Sequence, residues 1–523
     1  MDSSAKIRIL ICHVTLCAAF LLLFICEASA NNISVTNASI TGQSTSAETC
    51  KVQFDISWEN SWRHALNYDA AWVFIKYSTD SGATWSHATL KTSGTNPANF
   101  SQGAGTGLDI VVPTDLKGAF LERTSNGVGS VSTVSIQFVW DWGANGLSAG
   151  TTARVKVFAI EMVYIPESVF YAGDNASSTA SLKQGSADSN PWYVNDSDAM
   201  AMNGGEFYYV TGSNTGEGAT GAAFTIPAAF PSGFDAFYIM KYEISQGQYR
   251  DFLNTLTRAQ QNTRTVSQTA SQFVMSNNAA VVYRNGLRAP ASIPAGAITF
   301  GCDFDANGTF DESTDGEWIA CNYLSWMDIA AYADWAGLRP FSELEFEKAA
   351  RGNLTSINSE YAWGSTSITD AATLANSGLT NEGVSETGAG LCNYGNDGVQ
   401  APLRTGFAAT STTKRAQAGA SYYGVMELSG NNRERCVTVG NSTGRAFTGT
   451  AGNGSLSSNG NTDNSDWPGY VGSEVTAATG SGFRGGDWSG AIGLLCISDR
   501  ASAANTDTTR DTTYGGRCAR TSP

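Results

Sequence analysis

Four oxygen-bearing side chains in the middle of the chain have the spacing of a calcium-binding loop. They are Asp303, Asp305, Asn307 and Asp311. They fall at positions 1, 3, 5 and 9 of an EF-hand type of loop, and Gly308 falls at position 6, where such a loop turns sharply. Position 12 should hold a bidentate glutamate but is Thr314. Nearby candidates to replace that ligand are Glu312, Asp315 and Glu317. The segment predicts either a calcium site or a solvated acidic turn.

Histidine and cysteine restrict the chemistry that the rest of the chain can perform. The three histidines are His13, His64 and His87. Because none follows residue 87, a histidine base and an imidazole metal ligand are excluded from the larger part of the chain. Of the ten cysteines, those after residue 30 are Cys50, Cys302, Cys321, Cys392, Cys436, Cys496 and Cys518. Their number is odd, so at least one is free or pairs outside the chain. Cys302 and Cys321 bracket the acidic loop and could staple its base.

The first 30 residues have the pattern of a secretory signal peptide. Lys6 and Arg8 precede an apolar run over residues 9–25, and Ala28-Ser29-Ala30 supplies the small residues of a cleavage site. We expect an exported protein, secreted or held at the cell surface. A retained membrane anchor is the alternative, since the run is near the lower length limit for a span. No later run is apolar enough, so no transmembrane span is expected once the signal is removed.

The overall composition excludes one class of partner and favours one class of fold. The formal net charge is −16, from 31 basic and 47 acidic residues. Such an acidic chain is repelled by phosphate backbones, so nucleic acid is excluded as a partner. Charged residues make up only 15% of the chain, whereas glycines number 56. This composition is typical of turn-rich β structure with long ordered loops.

Period-two patterns predict an all-β sandwich domain over residues 31–158. Alternating β-branched and aromatic residues mark the segments 52–58, 72–77, 134–140 and 153–158, which lie between Gly-, Asn- and Ser-rich clusters. The segment 78–85 resembles an Asp-box hairpin, S-x-D-x-G-x-T-W, in which Asp80 would cap the amides of the turn. A single copy of this box indicates a structural hairpin.

An α+β domain is predicted over residues 159–523. Segments 162–166 and 237–244 are strand-like. Three short helices are expected to begin after Ser245, Ser325 and Ser342, each of which has a Gln, Asp or Glu three residues later as in a capping box. Gly352 would end the third helix. Long Gly-, Ser- and Asn-rich loops join these elements.

Six short motifs follow one another in this part of the chain. They are FYIMKYEIS (237–245), AYADWAGLRP (331–340), ELEFEKAARG (343–352), YGVMELSGN (423–431), FRGG (483–486) and GRCAR (516–520). Together they resemble the formylglycine-generating enzyme (sulfatase-modifying factor) family, from about residue 161 to the end. The resemblance implies a C-type-lectin-like variant of the α+β architecture with little regular secondary structure, often stiffened by calcium.

The resemblance also implies where catalysis would occur. Active members of the family oxidise a substrate cysteine to formylglycine with copper(I) held by two thiolates, which suits the preference of that ion for soft ligands. Here Cys496 is the only cysteine between Trp488 and Gly516, and the position of the first thiolate is Gly490 or Ala491. One thiolate does not reproduce the site, so copper is not expected. A related branch holds iron with histidines, which this domain lacks.

A second resemblance points to display of a binding surface. A lectin-like domain that ends just past a Gly-Arg-Cys-Ala-Arg motif is similar to the variable proteins of diversity-generating retroelements. In those proteins, adenine-directed mutation varies the stretch before the final motif. AAC codons changed in this way cannot encode Lys, Glu, Gln, Met or Trp, and none of these occurs from Ser489 to Pro523. The alternative is an inert, degenerated relative whose tail completes the core.

The predicted binding face lies within residues 487–516. Its candidate contact residues are Asp487, Ser489, Ala491, Ile492, Leu494, Leu495, Ser502, Asn505, Asp507, Thr509, Asp511, Thr513 and Tyr514. Larger side chains of the same region are expected to form the framework, with arginines on carboxylates or carbonyls and tryptophan in the core. These are Arg484, Trp488, Arg500, Arg510 and Arg517.

The resemblance implies two further calcium sites. The first would be formed by Asn376, Ser377, Asp397 and Val399, and the second by Glu427, Gly430, Asn432 and Glu434. Ser377, Val399, Gly430 and Asn432 would contribute backbone carbonyls. Segment 430–434 keeps the Gly-Asn-x-x-Glu spacing of the family, although Arg433 replaces the usual tryptophan.

The sequence therefore predicts an exported two-domain protein that binds a protein or glycan ligand without catalysis, with calcium as its cofactor. The alternative function is a copper-dependent formylglycine-generating oxidase, acting on a protein cysteine through Cys496 and an atypical thiol site.

Overall fold

The N-terminal part of the chain forms two layers of β-sheet. The computed structural model describes residues 32–175, 178–185, 190–202, 207–209, 213–217 and 224–523. The strands up to residue 165 are β1 (Ser34–Ser44), β2 (Thr49–Arg63), β3 (Asp69–Ser78), β4 (Ser86–His87), β5 (Gly94–Thr95), β6 (Ala104–Gly105), β7 (Leu108–Val112), β8 (Ala119–Arg123), β9 (Gly127–Asp141) and β10 (Arg154–Ile165). One sheet has the order β1-β2-β9-β6 and the other contains β10-β3-β8-β7-β5, with β4 on β3.

Shorter elements and five α-helices make up the described part of the chain after residue 165. In order they are β11 (Phe170–Ala172), β12 (Lys183–Gln184), β13 (Trp192–Val194), β14 (Met200–Met202), β15 (Phe207–Tyr208), β16 (Phe224–Ile226), β17 (Phe237–Met240), α1 (Gln246–Leu253), α2 (Arg258–Arg264), β18 (Leu287–Arg288), β19 (Gly301–Cys302), α3 (Trp326–Trp335), α4 (Glu343–Arg351), β20 (Thr369–Asp370), β21 (Leu374–Ala375), β22 (Gly383–Val384), β23 (Leu391–Cys392), β24 (Arg433–Val437), α5 (Ser442–Arg445), β25 (Tyr470–Val471), β26 (Glu474–Val475), β27 (Ser481–Arg484), a 3₁₀ helix (Ile492–Leu495), β28 (Tyr514–Gly515) and β29 (Ala519–Thr521). The molecule is a strand-rich α+β protein.

Strand β3 is buried along its whole length because both faces of its sheet are covered. Side chains alternate across a strand. Val73 and Ile75 therefore point into the sandwich core, where they join the apolar residues of β2 and β9. Trp72 and Phe74 point the other way, into a second core built with α1 and α3.

Strand β10 joins the sandwich to the rest of the molecule. It pairs antiparallel with β3 along one edge and with β17 along the other. The C-terminal strand β29 then pairs with β17 and extends the same sheet. The division predicted between residues 158 and 159 falls inside β10, and the ladder of hydrogen bonds continues across it.

The helix starts predicted from capping boxes are confirmed. Ser245, Ser325 and Ser342 are the N-caps of α1, α3 and α4, and each side chain accepts a hydrogen bond from the backbone three residues on. Gly352 ends α4 with a φ of 70°. The helix α2 was not predicted, although Thr257 caps it in the same manner.

The Asp-box hairpin is confirmed as a structural turn. Asp80 accepts hydrogen bonds from the backbone N–H of Thr84 at 2.9 Å and from its hydroxyl at 2.6 Å. Ser78 donates to the same carboxylate at 2.7 Å. These bonds hold the pKa of Asp80 well below its usual range.

The seven cysteines after residue 30 are all buried and all free. The staple between Cys302 and Cys321, which their positions would allow, is therefore not formed; both thiols pack in the core beside α1. The predicted signal peptide lies outside the described residues. Within the part of the chain that the structure describes, no helix is long and apolar enough to cross a membrane.

Candidate functional site

The stretch from residue 485 to residue 513 is a long loop held at both ends by one strand. It leaves β27, which pairs antiparallel with β24, and returns as β28, which pairs parallel with the same strand. Gly485 and Gly486 begin the loop with φ values of 89° and 67°, in the left-handed region that glycine adopts without strain. The Gly-Gly pair thus sets the direction in which the loop leaves the sheet.

Buried arginines tie this loop to helix α4. Arg484 donates to Glu343 at 2.9 Å and to Glu347 at 2.6 Å, and Arg500 donates to Glu343 at 2.7 Å. Neither arginine side chain is accessible to solvent. Burial alone would raise the pKa of Glu343, but the guanidiniums of Arg500 and Arg484 hold it below its ordinary value.

The remaining framework side chains are also paired. Arg510 donates to Asp328 of α3, and Arg517 donates to Glu434 of β24 through two nitrogens at 2.6 and 2.7 Å. Trp488 is buried, and its indole N–H donates to the Thr512 carbonyl at 3.1 Å. The prediction that these residues form a framework is confirmed.

Cys496 lines a small cavity of about 180 Å³ below the exposed part of the loop. The other lining residues are Ser178, Thr179, Ser359, Ala491, Gly493, Leu494 and Asp499. The thiol donates to the Ser359 carbonyl at 3.5 Å and is 4% exposed. Burial raises the pKa of Cys496 to about 12, so the thiolate that would bind copper or attack a substrate is disfavoured.

The residues around Cys496 do not fit a copper(I) site with two thiolates. The position expected for the first thiolate holds Gly490 or Ala491, neither of which can ligate through a side chain. Cys392 belongs to the same apolar cluster as Cys496, but its thiol donates to the Ser429 carbonyl at 2.8 Å. Burial raises the pKa of Cys392 as well.

A group of side chains around the Trp488 ring forms what we call the aromatic face. It consists of the rings of Tyr283, Tyr323 and Trp488 together with Asp511, which bonds to the backbone of Tyr323. The rings of Tyr283 and Trp488 stack with centroids 5.5 Å apart, and Tyr283 is 44% exposed. The Asp511 carbonyl accepts the backbone N–H of Tyr323 at 2.9 Å. Burial, then the nearby Tyr283 and Asp511, raises the pKa of Tyr323 to about 12.

Tyr283 stands at the tip of a strained two-residue turn. Asn285 donates its backbone N–H to the Val282 carbonyl at 3.2 Å, which closes the turn. Tyr283 and Arg284 between them have φ values of 46° and 60°. Positive φ at both central positions defines a type I′ turn, which strongly favours Asn-Gly. The side chain of Arg284 pairs with Glu382 and lies over the Phe304 ring at 5.0 Å.

The predicted contact residues divide into three groups by exposure. The exposed ones are Ser489, Ala491, Ile492 and Thr509. The half-buried ones are Leu494, Ser502, Asn505, Asp507 and Asp511. The buried ones are Asp487, Leu495, Thr513 and Tyr514.

The buried members of this set serve the framework. Asp487 has no exposed surface; its carboxylate accepts from Arg433 and from the backbone and hydroxyl of Ser489. The hydroxyl of Tyr514 donates to Asp507 at 2.9 Å. The exposed part of the predicted stretch is therefore smaller than the stretch itself, and the aromatic face contains Tyr283 and Tyr323, which the sequence did not indicate.

The acidic loop brings together a different set of carboxylates from the one that its spacing predicts. One carboxylate oxygen each of Asp303, Asp305 and Asp315 lies within 4.8 Å of the others, the one such group of three potential metal ligands among the described residues. Asp311 lies apart, accepting from Arg250 at 2.7 Å and from the Cys302 backbone at 3.0 Å.

Two other residues complete the surroundings of this loop. The Asn307 amide donates to Asp305 at 3.0 Å and to Glu312 at 2.8 Å. Burial, followed by the nearby charges of Asp305, Asp303 and Glu312, raises the pKa of Asp315 to about 6.

The first calcium site implied by resemblance lies in two exposed turns. Asn376 and Ser377 are exposed, and the Ser377 hydroxyl accepts from Arg284 at 2.9 Å. Asp397 is also exposed, and the Val399 carbonyl accepts the Ala401 N–H at 2.9 Å.

The second implied site is buried beneath the loop. Both oxygens of Glu434 accept from Arg517, so a guanidinium supplies the positive charge there. Gly430 donates its N–H to Gly485 at 2.8 Å. Among the described residues, Glu427 Oε2 and both polar atoms of the Asn432 side chain have no hydrogen-bond partner. Burial raises the pKa of Glu427 to about 7.

Comparison with known proteins agrees with this arrangement of motifs. A search among curated proteins found none that matches the chain. A family model described as the sulfatase-modifying factor enzyme 1-like domain matches residues 185–522, well over half of the chain. The matched region begins just after β12, extends past the end of β29, and contains Cys496 and the aromatic face. The chain therefore belongs to the sulfatase-modifying factor family.

Proposed function

We propose that the chain is a ligand-binding protein without oxidase activity, and that it binds a protein or glycan through the aromatic face and the exposed residues of the C-terminal loop. The observation that carries the proposal is the type I′ turn with Tyr283 and Arg284 at its centre. In most turns of this type asparagine and glycine avoid the strain that other side chains suffer.

The strain at this turn has a physical size. A left-handed backbone costs a residue with a Cβ roughly 1–2 kcal/mol. The ion pair of Arg284 with Glu382 and the stacking of Tyr283 on Trp488 offset that cost. The result holds an aromatic ring, still 44% exposed, in a fixed position at the surface. Strained residues held in this way are concentrated at binding and catalytic sites.

The composition of the surrounding loop suits recognition. Ser489 and Thr509 are exposed small polar residues, and Ile492 is an exposed apolar one at 47%. Binding surfaces commonly combine rigid Tyr and Trp rings, which lose little entropy, with small polar residues that adapt their hydrogen bonds. The aromatic face and the loop provide both kinds of group side by side.

The surroundings of Cys496 weigh against oxidase chemistry. Cys496 is a buried thiol with a raised pKa, and Gly490 or Ala491 occupies the position of the other thiolate. The site thus offers one poor ligand where copper(I) needs two thiolates. The cavity beside it, about 180 Å³, is also small for a peptide substrate.

The finer architecture and setting are part of the same proposal. The family domain belongs to the C-type-lectin-like class in this proposal. The first 30 residues direct export of the protein. The exposed loop positions vary as they do in the variable proteins of diversity-generating retroelements. A near-identical template repeat beside a reverse-transcriptase gene would support variation of the loop; its absence would remove that part and leave the binding face intact.

Two assays on the purified full chain test the proposal. In the first, the protein is titrated with copper(I) and incubated with a cysteine-containing peptide; we expect no stoichiometric copper and no aldehyde. Aldehyde formation that disappears in Cys496→Ala would establish the oxidase instead.

The second assay screens the protein on a glycan array and against a displayed library of random peptides. We expect binders whose affinity falls at least about tenfold in Tyr283→Ala, because exposed aromatic side chains commonly carry much of the binding energy of an interface. Cys496→Ala is the matched control and should bind as the wild type does. Binders indifferent to Tyr283→Ala, or no binder in either screen, would refute the binding face.

A further inference from the structure

We propose that Asp303, Asp305 and Asp315 bind one Ca²⁺ ion. Their carboxylates converge within 4.8 Å of one another at the surface end of the segment between β19 and α3. Asp303 and Asp315 are fully buried, whereas Asp305 is exposed. The group therefore has two buried carboxylates and one carboxylate at the solvent boundary. An ion can enter from the side of the exposed carboxylate.

The charges of this group are only partly compensated by protein groups. Arg288 pairs with Asp303, and the Gly308 N–H lies 3.2 Å from the same carboxylate. Asp305 accepts from the Thr314 hydroxyl at 2.8 Å and from the Asn307 amide at 3.0 Å, both neutral donors. Three carboxylates with one arginine leave a net negative charge at a mostly buried point.

An unsatisfied buried oxygen points independently to a ligand. Asp315 has no exposed surface, and its Oδ2 accepts the Glu312 N–H at 2.7 Å. Its Oδ1 is buried and has no hydrogen-bond partner among the described residues. A buried carboxylate oxygen without a donor is costly, and a cation bound between the three carboxylates would satisfy it.

The donor set selects calcium over magnesium and over transition metals. Within reach are carboxylate oxygens on an irregular loop, which Ca²⁺ accepts because it takes 6–8 oxygen ligands in variable geometry. Mg²⁺ requires a near-ideal octahedron, and no imidazole follows residue 87 to attract zinc or copper. Three carboxylates weakened by Arg288 suggest a Kd on the order of 10⁻⁵–10⁻³ M.

The structure also explains why Asp311 is not a ligand. It accepts from Arg250, which in addition pairs with Glu317, and from the Cys302 backbone N–H. Asp311 thereby fixes the base of the loop against α1. Asp311→Asn keeps an amide oxygen that can accept from Arg250 and from the Cys302 N–H, so the other three carboxylates should still converge.

Calcium titration of the chelator-treated full chain by calorimetry tests this site. We expect Asp315→Asn and Asp305→Asn each to bind one equivalent of Ca²⁺ fewer than the wild type, whatever is bound elsewhere on the molecule. Asp311→Asn, which removes the acid that the spacing alone would select, is the matched control and should keep that equivalent. Excess CaCl₂ should raise the Tm of the wild type more than that of Asp305→Asn.

The stoichiometry decides the outcome. If the wild type and both variants bind the same number of equivalents with the same Kd, or if the wild type binds none, the site does not exist. Loss of the equivalent in Asp311→Asn with retention in Asp315→Asn would favour the ligand set of an EF-hand loop instead. Because Asp305 is exposed, its variant should fold even if Asp315→Asn does not.

Discussion

Trp72 of β3 donates a 2.8 Å hydrogen bond from its indole N–H to the carbonyl of Ala336, the residue that ends α3. The ring is fully buried and lies under the guanidinium of Arg520 at 4.2 Å. One side chain of the N-terminal sandwich thus satisfies an end carbonyl of a helix in the sulfatase-modifying factor domain and touches its last strand. We infer that the two parts stabilise each other.

Replacement of Trp72 by phenylalanine tests this coupling. The variant leaves the Ala336 carbonyl buried without its donor, and such a loss costs about 1–3 kcal/mol. Urea denaturation followed by fluorescence and circular dichroism should show that much loss in the free energy of unfolding. Trp85→Phe is the control, since Trp85 is half-buried in the Asp-box hairpin and should change stability by less. Equal effects of the two variants would mean that the sandwich and the family domain are not coupled through Trp72.

Arg484 should be among the most costly residues to replace. Arg484→Met leaves Glu343 and Glu347 buried with fewer partners, although Arg500 and Arg351 remain beside them. Breaking a buried charge pair costs roughly 3–5 kcal/mol, and the remaining arginines favour the lower end of that range. The measurement is again denaturant unfolding.

The control for Arg484 is an exposed ion pair of the sandwich. Lys91 pairs with Asp141 at 2.7 Å, with its side chain 43% exposed, and such pairs contribute about 0–1 kcal/mol. Lys91→Met should therefore unfold almost as the wild type does. A cost for Arg484→Met no larger than that of Lys91→Met would contradict the framework role of the arginine.

Cys496 should react slowly with thiol reagents in the folded protein. With a pKa of about 12, roughly one thiol in ten thousand is ionised at pH 8, whereas about a quarter of unperturbed thiols are. Iodoacetamide labelling followed by peptide mass spectrometry should find Cys496 unmodified in the native state and modified in urea. Native labelling at the rate of a free thiol would revive the oxidase interpretation.

The secondary structure was predictable where one local signal sufficed. Ser245, Ser325 and Ser342 cap helices because a side-chain oxygen three residues before a partner is a purely local arrangement. The segment 72–77 was correctly predicted as a strand from its period-two pattern, but its apolar run over residues 72–75 is typical of a strand buried on both faces, which the pattern alone did not indicate. A strand buried on both faces needs a second layer over its sheet, and the family domain supplies that layer here with α1 and α3.

The candidate site was predictable only in part. The lack of a second thiol near Cys496 follows from counting residues. Tyr283 could not be found in this way, because turn propensities argue against a tyrosine where φ is positive. The calcium site stays a prediction: in the acidic loop Asp311 pairs with Arg250, about sixty residues earlier in the chain, and Asp315 lies with Asp303 and Asp305 instead.

Lys348 makes the stability depend on pH in a direction that can be measured. The residue is buried on α4, its ammonium donates to the Ser168 carbonyl, and it lies over the Phe170 ring at 5.0 Å. Burial lowers the pKa of Lys348 to about 7, against 10.5 for an unperturbed lysine. Between these values the unfolded chain binds one proton more than the folded chain, so the free energy of unfolding rises with pH, by up to about 1.4 kcal/mol per unit.

The variant Lys348→Met isolates this contribution. It has no group that titrates, so the difference in unfolding free energy, wild type minus variant, should rise steadily from pH 7 to pH 10 and stay level below pH 6. The lost bond to Ser168 adds a constant offset and leaves the slope unchanged. Chemical denaturation at one-unit intervals of pH provides the measurement. A difference that does not change with pH would show that Lys348 keeps its ordinary pKa in the folded protein, so that burial does not disfavour its ammonium form there.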